Sequence, residues 1–147
     1  MINWQTFTDR LSHLMLVNGE LNGKTLAQKL GISPQTVTRY LSMQRTPTCA
    51  NLILIADYFN RSTDFLLGLE EENPELVFKS CPPFSEQIVF LANYFKKSYR
   101  SFFREVKIPE STFFEWKKGE SVPTVESIEK IAAHFDCRID FVLGRES

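Results

Sequence analysis

Apolar residues recur every three to four positions along nearly the whole chain, and no alternating run of useful strand length interrupts them. Phe7, Leu11, Leu14 and Met15 predict a first helix over about Asn3 to Val17. Asn22 can cap a second through its side-chain oxygen, with Leu26, Ala27 and Leu30 on one face and Gly31 ending it in a left-handed turn. Ser33 followed by Pro34 is a hydroxyl cap followed by a residue that loses no helical donor at the first position, so a third helix starts there. Thr48 opens a fourth, through Leu52, Ile55, Ala56 and Phe59, and Ser62 a short fifth that Gly68 stops. The fold class predicted is all-α.

The pattern then repeats. Shifting the chain by 76 residues aligns Ile32–Glu70 with Ile108–Glu146 without a gap, with twelve of thirty-nine positions identical; chance at ordinary composition gives about two or three. Two tandem five-helix units are expected: residues 1–70, an acidic linker over 71–83 and residues 84–147. The second set of helices falls at about Ser85–Lys97, Arg100–Val106, Glu110–Lys118, Thr124–Phe135 and Arg138–Leu143. Leu76-Val77-Phe78 is apolar for a linker, so it is expected to dock on a domain or form a short extended segment.

Two short helices about a tight turn, TLAQKLGISPQTVTRYL, have helix-turn-helix form. Ala27 is small where the helices approach, Gly31 makes the turn, and Val37 and Tyr40 point inward. These residues, with the ending DFLLGLE, resemble the lambda-repressor and Cro type of helix-turn-helix DNA-binding domain. The resemblance covers nearly all of the first unit from Phe7, and in the second unit it is clearest in WKKGESVPTVESIEKIA and DFVLGRE.

That resemblance implies that the helix from Pro34 to Leu41 lies in the major groove of double-stranded DNA. Gln35 is then placed to pair with adenine and Arg39 with guanine, each worth about 1–3 kcal/mol of discrimination. Thr36 and Thr38 add hydroxyl or methyl contacts, and Pro34 rests on a thymine methyl. Phosphates are expected at Ser33, Gln44 and Arg45, at the opening amides of Gly23 and Lys24, and at the Lys24 ammonium.

The second copy departs where DNA reading would need it to agree. Arg39 becomes Glu115, Pro34 becomes Glu110, Gly31 becomes Lys107 and Ala27 becomes Phe103. Glu115 can still accept from cytosine N4, so reading is disfavoured rather than excluded. Nine of the thirteen phenylalanines lie in this unit, mostly as core; Phe114, in the place of Thr38, is expected on the exposed side beside Phe103. Phe103, Phe114 and Glu115 are the candidate protein interface, and a homodimer reading a palindrome is the expected assembly. A pseudo-dimer with both units on DNA is the rival arrangement.

Bulk properties narrow the classes further. Net charge is −1, with six Lys/Arg against four Asp/Glu over 1–69, an acidic middle, and ten of each over 85–147. Three scattered cysteines, Cys49, Cys81 and Cys137, suggest neither a disulfide framework nor zinc, and His13 and His134 stand alone. No cofactor or metal is expected, and no nucleophile–base pair or phosphate loop points to an enzyme. With no apolar run long enough for a bilayer and no signal-like start, a cytoplasmic protein is expected. The other reading is an antitoxin-like or anti-repressor-like interaction module that keeps the fold without reading DNA.

Overall fold

The computed structural model describes residues 1–146; Ser147, which closes the expected second domain, lies outside the described residues. Among the described residues every regular element is an α-helix. The chain divides into two compact units, the first covering 1–75 and the second running from Leu76 onward.

The first unit holds α1 (Trp4–Val17), α2 (Gly23–Leu30), α3 (Pro34–Leu41), α4 (Cys49–Phe59) and α5 (Thr63–Leu66). Side-chain oxygens of Asn3, Asn22, Ser33, Thr48 and Ser62 each accept from the amide three residues on, satisfying donors that a helix start leaves open. Behind those caps, Phe7, Leu11, Leu26, Val37, Leu52, Ile55 and Leu66 are almost fully buried and form the core. Each contributes about 1.5–3 kcal/mol through burial.

The second unit holds α6 (Phe84–Tyr94), α7 (Tyr99–Val106), α8 (Glu110–Lys118), α9 (Val125–His134) and α10 (Ile139–Leu143). Its helices pack in the same pairs: first with third and fifth, second with third and fourth, fourth with fifth. The weighting differs. In the first unit α3 rests mainly on α2, whereas α8 rests mainly on α6. Phe103 explains this, since its ring fills the space beside Phe113 at 5.5 Å where Ala27 leaves α2 and α3 in close contact.

Helix α6 stops at Tyr94 rather than continuing to Lys97 as the periodicity predicts. Lys96 is left-handed (φ 56°), and the Lys97 amide turns back to Ala92 O at 2.9 Å. The segment between the expected domains has bonds of its own. Asn73 Oδ1 accepts from the Ser62 amide at 2.8 Å in the first unit, while in the second Lys79 N donates to Arg145 O and the Phe78 ring lies under the Arg145 guanidinium.

Candidate nucleic-acid interface

Helix α3 is short, and its position is set from three sides. Val37 and Tyr40 are 1% and 2% exposed. Tyr40 O accepts from the Thr8 hydroxyl of α1 at 2.9 Å, Tyr40 OH accepts from Asn51 Nδ2 of α4 at 2.9 Å, and its ring meets Phe7 edge-on. Gly31, at φ 72°, closes α2, and Ile32 N donates to Ala27 O at 3.0 Å to carry the chain into the turn. With its inner face held in this way, the outer face projects as a fixed ridge.

Pro34, Gln35, Thr38 and Arg39 are exposed on that ridge, and Thr36 is half-buried. Their hydrogen-bonding capacity is unequal. Ser33 and Thr36 share a hydroxyl–hydroxyl bond of 2.8 Å while Ser33 Oγ also caps the Thr36 amide, so the pair keeps a single spare O–H. Thr38 donates to Pro34 O at 3.1 Å, which leaves it a methyl and an acceptor to present outward. Gln35 and Arg39 make no side-chain hydrogen bond among the described residues.

The expected phosphate ligands surround this ridge. A Cβ on Gly23 would lie 3.6 Å from Val37 Cγ1 and 3.9 Å from Thr38 Oγ1, so the amides that open α2 border the exposed face of α3. Lys24 is exposed. Past the end of α3 the amides of Gln44 and Arg45 both donate to Arg39 O, at 2.9 and 3.3 Å, which keeps these two exposed side chains beside Arg39.

Electrostatics separates the units. From Leu21 to Ala56 the chain carries Lys24, Lys29, Arg39 and Arg45 and no carboxylate; the matching span 97–132 carries seven cations and six carboxylates. Lys29 is a cation that the motif-based reading overlooks, and the signal that finds it is the missing acid rather than any spacing. Glu110 is exposed and Glu115 half-buried on α8.

The expected aromatic patch is smaller than its sequence suggests. Phe103 is 6% exposed and belongs to the core. Phe114 is half-buried, edge-on to Phe103, Phe113 and Tyr99. A large ring beside α8 finds more apolar surface inward than outward, which the position of Thr38 could not reveal.

Elsewhere, Glu105 receives Lys97 Nζ at 3.0 Å and lies 3.2 Å from His134 Nε2; the Lys97 ammonium first and His134 second hold its carboxyl below the ordinary glutamate range. His134 therefore has an acidic neighbour that sequence spacing did not disclose. The three cysteines are half-buried and form no disulfide. No group of three His, Cys, Asp or Glu among the described residues could hold a metal ion, and no helix among them is long and apolar enough to cross a membrane.

A compact unit in which a glycine turn joins α2 to an outward-facing α3 is a helix-turn-helix module. Residues 19–66, spanning α2 to α5, match the model of a family described as helix-turn-helix. No curated protein and no solved structure matches the chain.

Proposed function

We propose that the chain is a sequence-specific DNA-binding transcriptional regulator of the repressor class, reading the major groove with α3 of its first unit. Gln35 and Arg39 are the base-reading pair, assisted by the Thr38 methyl, Pro34 and the Ser33–Thr36 hydroxyls. The opening amides of α2 with Lys24, and Gln44 with Arg45, hold phosphates and set the register. The observation that carries this reading is the ridge itself: a buried, doubly hydrogen-bonded inner face at Tyr40 behind an outer face whose unspent donors are Gln35 and Arg39.

The second unit is the one we assign to holding molecules together. Carboxylates at Glu110 and Glu115 oppose a phosphate backbone, which favours a protein partner for that unit over a second half-site.

Fluorescence anisotropy on labelled duplex tests the proposal. With six or more phosphate contacts per dimer, affinity should fall about a thousandfold or more between roughly 50 and 200 mM salt. Arg39→Ala should lose about 1–3 kcal/mol of preference for the selected site over random duplex. Glu115→Ala should leave binding unchanged. A chain with no salt-dependent DNA affinity would instead be the interaction module.

A further inference from the structure

The first and fifth helices of each unit are tied by the same kind of bond, but the surfaces beside that bond differ in character. In the first unit Arg10 Nη1 on α1 donates to Phe65 O and, at 2.7 Å, to Glu70 O, with its guanidinium 4.1 Å over the Phe65 ring. In the second, Gln87 Nε2 on α6 donates to Phe141 O on α10 at 3.1 Å. Three and seven residues past these anchors α1 carries His13 and Val17, whereas α6 carries Phe90 and Tyr94. The helix pair can thus be built without aromatic rings at those places.

Phe90 and Tyr94 are nonetheless 47% and 57% exposed. Both lie against Phe141, with centroids 6.1 and 4.9 Å away, and a groove of about 300 Å³ opens beside the three. Clustered exposed rings of this kind mark a surface that another body covers. The charges at the two ends of the stripe indicate which body. Glu86 is exposed in the first turn of α6 and Lys96 is exposed just past its last residue. Laid antiparallel on a second copy about an axis near Leu91, Glu86 meets the other chain's Lys96 at both ends, and the Phe90 of each copy falls between the Phe90 and Tyr94 of the other. A parallel arrangement sets like charge on like.

We propose that this α6–α10 face pairs two copies of the chain in an antiparallel, two-fold arrangement. The inference deepens the self-association assigned above to the second unit, and rests on that reading for its purpose only. Sedimentation equilibrium of the full-length chain tests it. The wild type should be dimeric, and Phe90→Lys with Tyr94→Lys should raise the dimer Kd by at least about tenfold. Glu86→Lys and Lys96→Glu should each weaken the dimer, and the two together should restore it. All four sites are exposed, so circular dichroism and thermal unfolding should match wild type; the charge pair decides the matter should the aromatic variant misfold.

Three results would overturn the proposal: a monomeric wild type, which would leave the face to a different protein; a dimer indifferent to Phe90 and Tyr94; or a charge swap that restores nothing. Titrating the same samples with DNA keeps the two proposals apart. A chain that dimerises through these residues yet ignores DNA removes the reading of α3 alone, and a monomer that binds DNA removes the surface alone.

Discussion

At residue 107 a lysine holds a left-handed backbone (φ 64°) at the end of α7, where the first unit has Gly31. The exchange runs the other way after the third helix: Met43 is left-handed at φ 61° where the second unit has Gly119. A side chain in this conformation costs about 1–2 kcal/mol, part of which glycine returns through the unfolded chain's freedom. Lys107→Gly and Met43→Gly should therefore each stabilise the protein by about 0.5–1 kcal/mol, read as an increase in urea midpoint at unchanged slope. Gly144 admits no such exchange, since it is left-handed and a Cβ there would meet Pro82 Cδ at 2.6 Å.

Single residues also mark where reading the sequence ended. Asn22, Gly31, Ser33, Thr48 and Ser62 act within three or four residues of themselves, so their roles are legible from local chemistry. Arg10 reaches Phe65 and Glu70, 55 and 60 residues away, and nothing near it announces the partners. The exposed face of α3 was legible because helical spacing assigns its sides. That Thr38 spends its hydroxyl on Pro34 O was not.

Among the elements, α3 depends most on its start. Ser33 serves the Thr36 amide and the Thr36 hydroxyl together, and only two turns of helix follow. Ser33→Ala should cost about 1 kcal/mol of stability. On the proposed reading it should also weaken DNA binding more than that figure alone implies, because Pro34, Gln35 and Thr36 sit in the turn it caps; comparing urea unfolding with anisotropy separates the two losses. Helices α7 and α9 are joined at their surface by Glu105, with Lys97 as a third member. Because the folded carboxyl is held below its ordinary range, its contribution is complete above the unfolded-state glutamate value and fades as pH falls through the lowered one. Thermal melts of Glu105→Gln should therefore lie slightly below wild type at neutral pH and converge with it in acid.

For the whole molecule, each unit has its own core and its own tryptophan: Trp4 packs on Phe7, and Trp116 is buried against Phe84. The second unit also encloses an ion network the first does not share in sequence. Arg145, fully buried, donates to Asp140 at 2.5 Å, while Arg138 bridges Asp140 and Glu146. Arg145→Ala leaves the buried Asp140 with Arg138 as its charged partner, so it should destabilise the second unit by less than the roughly 3–5 kcal/mol of a fully stranded charge. In Trp4→Phe and Trp116→Phe backgrounds, the Trp116 transition should move and the Trp4 transition should not.

Because Tyr40 is gripped through both its carbonyl and its hydroxyl, α3 would need no ordering to meet a duplex as proposed, and the conformational entropy lost on contact would fall on a few long side chains. The side chains of Gln35 and Arg39 make no hydrogen bond within the described fold, although the Arg39 carbonyl does. On the proposed reading the module is in that sense a holder with an interchangeable bit: new side chains of similar helix propensity at those two places should redirect it to other target sequences with little change in stability.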